Sequence, residues 1–169
     1  MLSKPAKLLD HDYTLDYDLQ CITTIDELKS TLDKYKEPEG TYTIMGFDTE
    51  TTGLNPEEDS IVGYSFAFDD KSGYYVPVNH LNLALGDEAL DLIYDAMLKT
   101  KLVLMFNSRF DIRMMEWDHF EDEPLSFKEE FIRKCRMLYS KYDMSKIKIY
   151  DIQVMVLNEV YKKLRIAPV

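Results

Sequence analysis

Apolar and polar positions alternate along the chain in short blocks, and the blocks define the elements. Leu19 to Thr23 reads as a short strand. Ile25, Leu28 and Leu32 then fall on one helical face, predicting a helix from Ile25 to about Lys36, capped by Thr23 or Thr24 and ended by Glu37-Pro38-Glu39-Gly40. Thr43, Ile44, Met45 and Phe47 form an apolar strand with the composition of one buried on both faces. Ile61 to Phe68 alternates, Asp69 to Gly73 is a turn, and Tyr74 to Val78 is the return strand, so the sheet begins antiparallel. Helical spacing resumes at Asp87, with Ala89, Leu90, Ile93, Met97 and Leu98 as the apolar set. Leu102 to Phe106 is a buried strand, and Ser108 to Trp117 a helix carrying Ile112 and Met115. After Glu121 to Pro124 a polar helix is expected from about Ser126 to Lys141. Ile147 to Tyr150 reads as a strand, and Asp151 as the cap of a helix reaching about Lys163. Strands interleaved with helices predict an α/β fold, a mixed sheet with helices on its faces. Residues 1–16 read as a loose leader, and residues 1–169 as one domain.

Composition changes this picture little. Hydrophobic content of 46% with 30% charged residues is that of a globular protein. No apolar run approaches the ~20 residues of a membrane span and no signal-peptide pattern opens the chain, so no membrane partner is expected. Cys21 and Cys135 lack ligand spacing and read as reduced core thiols of a cytosolic protein, in a bacterial or an infected host cell. Charge matters more. The net charge of −11 argues, taken alone, against a nucleic-acid ligand. Yet residues 126–169 hold ten Lys and Arg against five Asp and Glu, so that end is locally +5 and residues 1–125 carry −16. A basic run of this kind is usually a solvated face; it permits a phosphate-contacting surface without establishing one.

Candidate chemistry sits where the second strand ends. Asp48 and Glu50 are two residues apart, and in an extended chain such side chains share a face, roughly 6.6 Å apart. Like charges so placed repel unless a cation lies between them, and carboxylates suit a hard divalent ion. Gly53 lets the chain turn away and Asn55-Pro56 marks a loop. D-x-E alone is a weak signal, because paired acids at a strand end are common. A further acid, Asp111, follows the strand ending at Phe106, in Asn107-Ser108-Arg109-Phe110-Asp111. Asn107 or Ser108 could simply cap that helix, and Asp111 could simply face its dipole. In combination, this order of elements can bring all three carboxylates to one edge of one sheet.

Four blocks now match a known family: Phe47 to Leu54 (FDTETTGL), Ile61 to Phe68 (IVGYSFAF), Tyr75 to His80 (YVPVNH) and Asn107 to Asp111 (NSRFD). Together they resemble the 3′–5′ proofreading exonuclease domain of family A (polymerase I-like) DNA polymerases, which are DEDD exonucleases of ribonuclease H-like fold. The matching blocks run from about residue 40 to 115, with an echo at Tyr150-Asp151. The resemblance implies hydrolysis at the 3′ end of single-stranded DNA by two divalent ions, Mg²⁺ or Mn²⁺. Asp48 would bridge both, Glu50 would bind one and orient water, and Asp111 would support the second. It also implies that Leu54 wedges against the terminal base, while Asn107 and the backbone at Thr51 contact the terminal nucleotide. Core packing for Leu54 and helix capping for Asn107 are the competing readings.

The family completes its site with a downstream carboxylate in Tyr-x-x-x-Asp or His-x-x-x-x-Asp. Tyr139 to Asp143 has the spacing but precedes the strand near Ile147, the wrong side of the usual order. The expectation is therefore an N-terminal fragment of a longer polymerase, whose body in the same chain is the partner. The long segment 126–148 is consistent with a phage-encoded variant. Two other readings stay open: a stand-alone ribonuclease or DNase of this fold, and an inactive structural module of a polymerase.

Overall fold

In a computed structural model, which describes residues 17–56, 58–80, 83–117 and 142–154, the chain runs β1 (Asp18–Cys21), α1 (Ile25–Tyr35), β2 (Met45–Thr51), β3 (Ile61–Ala67), β4 (Ser72–Pro77), α2 (Gly86–Lys99), β5 (Val103–Met105), α3 (Ser108–Trp117) and β6 (Ile149–Asp151). A 3₁₀ turn at Met144–Lys146 precedes β6. The strands form one six-stranded sheet in the order β1-β4-β3-β2-β5-β6. The β2-β3-β4 meander is antiparallel, while β1 joins β4, β5 joins β2 and β6 joins β5 in parallel. The expected mixed sheet with flanking helices is what forms.

Local chemistry explains the borders. The Thr24 hydroxyl accepts from the Glu27 amide, and the Glu27 carboxylate reaches back to the Thr23 and Thr24 amides, closing a capping box on α1. The Asp69 carboxylate accepts from the amides of Lys71 and Ser72 at 2.9 and 2.6 Å and sets the β3–β4 turn. Tyr142 lies beneath α2, its hydroxyl donating to Asp91 at 3.0 Å, and the Tyr94 hydroxyl donates to the Asp143 carbonyl at 2.8 Å. This ties the segment before β6 to the α2 layer.

One face of the sheet carries the core. Met45, Phe47, Tyr64, Phe66 and Val76 lie buried with Leu28 and Leu32 of α1 and with Ala89, Leu90, Ile93, Ala96 and Met97 of α2. Phe47 stacks on Tyr64, and Phe66 on Tyr74. The opposite face presents Gly46, Asp48 and Glu50 of β2, and here the sequence expectation is corrected. Strand β2 is not buried on both faces: Met45, Phe47 and Thr49 are buried, whereas Asp48 and Glu50 are exposed. Of the run Thr43 to Phe47, Thr43 and Ile44 precede the strand, and the acids at its exposed positions lie beyond the run. Two other expectations change as well. Cys21 is exposed, not a core thiol, because every β1 side chain is exposed at the sheet edge. Leu98 is 41% exposed at the end of α2 and does not share its apolar stripe. Residues 1–16, the helix expected over 126–141, Cys135, Tyr139 and the run to Lys163 lie outside the described residues.

Candidate active site

Strand β2 lies inside the sheet, between β3 and β5, so its C-terminal half is a fixed platform. Asp48 pairs in register with Ser65 and Glu50 with Gly63, both across the antiparallel β2–β3 ladder. The register then slips between Glu50 and Thr51, a bulge of the kind that re-aims a side chain at a strand end. Both carboxylates project from the same face, as their spacing predicts, and no basic side chain among the described residues pairs with either.

Asp111 approaches β2 from the other side. It is 2% exposed, and its Oδ1 accepts from the Thr49 hydroxyl at 2.6 Å and the Thr49 amide at 3.1 Å. Burial pushes its carboxyl up to about 6, against the opposing pull of the Thr49 hydrogen bonds, and the nearby Asp48 charge pushes the same way. Among the described residues no group of three or more His, Cys, Asp or Glu is gathered closely enough to hold a metal ion. The structure thus brings Asp48 and Glu50 together and sets Asp111 beside them across Thr49. These are hard oxygen donors, and a desolvated Asp111 that feels the Asp48 charge lacks the compensation a cation would provide. In that respect the donors fit Mg²⁺ or Mn²⁺.

The residues expected to touch nucleic acid lie around this pair. Leu54 is 84% exposed, which removes the core-packing reading. The Thr51 hydroxyl donates to the Gly53 carbonyl at 2.7 Å, fixing the turn that leaves β2. A side chain at Gly53 would meet the Asp59 carboxylate, which accepts from the Thr52 hydroxyl and the Asn55 amide and would have to shift. Asn107 adopts a φ of 58°, a left-handed conformation that asparagine tolerates better than most residues. Its side chain is exposed and does not cap α3.

The cap comes from another strand. Asp151, at the end of β6, accepts from the Ser108 hydroxyl and amide, both at 2.8 Å, and from the Asn107 amide at 3.3 Å. The same carboxylate accepts from the Gln153 and Val154 amides at 2.9 and 3.4 Å, capping the helical turn that begins at Ile152 as the sequence predicts. Burial works against the charged form of Asp151, but the hydrogen bonds from Ser108 and these amides outweigh it and hold the carboxyl below its usual range. Asp143, in the rejected Tyr139 motif, is occupied elsewhere: it caps the 3₁₀ turn by accepting from Ser145.

Two groups escaped the sequence reading. Thr49 sits between the acids in the same strand but faces inward, where its period-2 position alone could have placed it. Tyr75, in β4, is drawn across Gly63: a side chain at Gly63 would overlap the Tyr75 phenol, so ring and hydroxyl occupy that space. The hydroxyl is bonded to His80 Nε2 at 2.6 Å. Burial raises the Tyr75 phenol above its usual range, and the charge of Glu50 adds to the effect. Beside these residues a groove of about 770 Å³ runs along the sheet face that carries the acids, walled by Leu19, Tyr75, Phe106 and Ile152 and reaching Asp48.

Comparison with known proteins gives the family and the fold. A family model described as 3′–5′ exonuclease matches residues 19–147, and the chain belongs to that family. No curated protein matches the chain. Among solved structures, the EXO domain of Aedes aegypti Nibbler superposes with a TM-score of 0.52 at 13% identity, over 90% of this chain and 60% of that one. The RNase domain of yeast Pop2 gives 0.49 at 9% identity over 87% and 71%, and Escherichia coli RNase D gives 0.42 at 12% identity over 88% and 44%. The likeness to the Nibbler domain is one of fold, the ribonuclease H-like α/β fold of exonucleases, and this chain spans 60% of the length of that domain. Among the described residues no helix is long and apolar enough to cross a membrane.

Proposed function

We propose that this exonuclease domain removes nucleotides from the 3′ end of single-stranded DNA as the proofreading part of a longer DNA polymerase. The observation that carries this reading is the exposed pair Asp48 and Glu50, held side by side on a central strand without a cationic partner among the described residues. Asp48 and Glu50 would hold the divalent ions, with Asp111 supporting from across Thr49. The chemistry supplied by Mg²⁺ or Mn²⁺ in such a site is charge compensation at a phosphate and activation of water. The chain's own part is to fix the geometry. Glu50 would orient water, Asn107 and the backbone at Thr51 would contact the terminal nucleotide, and Leu54 would offer an apolar surface to its base.

Two assays test this. The 169-residue chain with Mn²⁺ should shorten 5′-labelled single-stranded DNA bearing a free 3′ hydroxyl, weakly but measurably, and Asp48→Ala with Glu50→Ala should abolish it. Shortening that survives the double substitution would rule out these acids as the site. A matched RNA in the same assay separates this reading from a ribonuclease. In a longer polymerase carrying the domain, the double substitution should abolish removal of a mismatched 3′ nucleotide and spare primer extension. Equal loss of extension would support a structural module instead.

A further inference from the structure

Thr49 occupies a position where the fold would accept a hydrocarbon. It points inward from β2 on the same side as the buried Met45 and Phe47, and it is itself buried. Valine has the same shape and suits such a place, since a buried hydroxyl costs free energy unless it is hydrogen-bonded. The Thr49 hydroxyl is bonded, and its partner is an acid of the candidate site. It donates to Asp111 Oδ1 at 2.6 Å, and the Thr49 amide donates to the same oxygen at 3.1 Å.

The backbone explains why a carboxylate stands there. β5 pairs with β2 only at Met45 and Gly46, so the Thr49 amide points past the end of that ladder, and Asp111 supplies the missing acceptor. The amide bond alone would meet that need. The hydroxyl is a second donor to an oxygen already in use. A carboxylate oxygen offers roughly two lone-pair sites, and on Oδ1 Thr49 fills both. Oδ2 receives neither bond. The two oxygens of one buried acid are thereby made unlike, one spent inside the protein and one not used by Thr49.

Cations differ in what they can make of such an acid. Mg²⁺ demands a near-octahedral shell and keeps several waters, so one oxygen per carboxylate suits it, and Mn²⁺ takes similar oxygen shells. Ca²⁺ spreads over about six to eight oxygens in flexible geometry and profits from a carboxylate that gives both. We infer that Thr49 is a positioning residue that commits one oxygen of Asp111, confines this acid to one-oxygen ligation, and so biases the site toward Mg²⁺ or Mn²⁺ and against Ca²⁺. This rests on the metal-holding role proposed above for Asp48, Glu50 and Asp111, and adds the residue that sets the choice of ion. Thr49 touches neither ion nor substrate; it acts through Asp111.

The test is a ratio of two affinities, measured by calorimetric titration of the full chain with Mn²⁺ and, separately, with Ca²⁺. Thr49→Val keeps the shape and the amide but removes the hydroxyl. It frees a site on Oδ1 and should narrow the preference for Mn²⁺ over Ca²⁺ about tenfold, the scale of one hydrogen bond to a charged group. Thr49→Ala, which places no methyl against the carboxylate, should do the same and serves if the valine variant does not fold. Thr49→Ser, which restores the donor, should keep the original ratio. In an Asp111→Asn background, Thr49→Val should leave the ratio where Asp111→Asn alone puts it, because the effect runs through the carboxylate. A Thr49 that only supports the strand would weaken both ions alike. An unchanged ratio in the hydroxyl-free variants therefore overturns the inference, as does an equal narrowing in Asp111→Asn. If neither ion binds the unsubstituted chain, or both bind unaltered after Asp48→Ala with Glu50→Ala, the metal-holding role fails and this fails with it. Binding lost in that double variant, with a ratio indifferent to Thr49, removes this inference alone.

Discussion

Asp111 is a buried acid whose two forms the protein values differently. Burial pushes its folded carboxyl up to about 6 from the ordinary 3.8, so the folded chain binds a proton more tightly than the unfolded chain. Stability from this group is therefore full below about 4 and is lost as pH rises through 6, a difference of roughly 3 kcal/mol at most. In chelator, the melting temperature of the chain should fall between pH 4 and 6.5 more steeply than that of Asp111→Asn, which cannot ionise. Parallel curves would show that burial does not burden the charge. Divalent metal should work in the opposite direction, because it favours the ionised acids. Millimolar Mn²⁺ at pH 7.5 should add about 1.4 kcal/mol of stability at tenfold excess over Kd and so raise the melting temperature, and the rise should vanish in Asp48→Ala with Glu50→Ala. An unchanged shift in that variant would place the metal elsewhere.

At the scale of elements, Asp151 joins three pieces. It closes β6, caps α3 and caps the turn after itself, so it helps to fix α3, and Asp111 on it, together with the Thr49 bonds and the buried Met114 and Met115. Asp151→Ala should cost about 1–2 kcal/mol in urea denaturation, the range of a lost helix cap, and Asp151→Asn should recover much of it. Loss no larger than that of an ordinary surface substitution would mean that Ser108 and Asn107 find water instead. This link was only half legible in the sequence. Local spacing signals Asp151 as a cap for the helical turn at Ile152. Its bond to Ser108 spans 43 residues and depends on the parallel pairing of β5 with β6, which no local pattern encodes. The Thr49–Asp111 bond, across 62 residues, was hidden for the same reason. What was legible was local: the Thr24 capping box, the Asp69 turn, the shared face of Asp48 and Glu50. The two-sided burial read for β2 was wrong because residue type records hydrophobicity, whereas the side left open is decided by which helices cover the sheet.

At the scale of the molecule, the layers formed by the described residues are unequal. α1 and α2 cover one face of the sheet, and the acids stand on the other, beside a groove with Leu19, Phe106 and Ile152 exposed along it. The acidic bias of residues 1–125 and the basic bias of residues 126–169 were legible in composition alone. Which face α1 and α2 cover was not, because it depends on how segments distant in sequence meet.

The edge strand β1 also has a consequence in time. Its side chains are all exposed, so little apolar burial holds it, and its parallel partner β4 lies about fifty residues away. Closing so long a loop is entropically late, whereas the β3–β4 hairpin forms from neighbours. The sheet should therefore assemble outward from the hairpin, with β1 the last strand to join and the first to detach. In native-state hydrogen exchange, the Asp18 and Ile22 amides, which bond to the Lys71 and Tyr75 carbonyls, should exchange through a small local opening, while the β3 amides wait for global unfolding. Equal protection at both places would mean that β1 and the hairpin form a single cooperative unit. Detachment of β1 would also bare the outer edge of the strand that carries Tyr75, so the lifetime of that opening sets how long this side of the site goes unsupported.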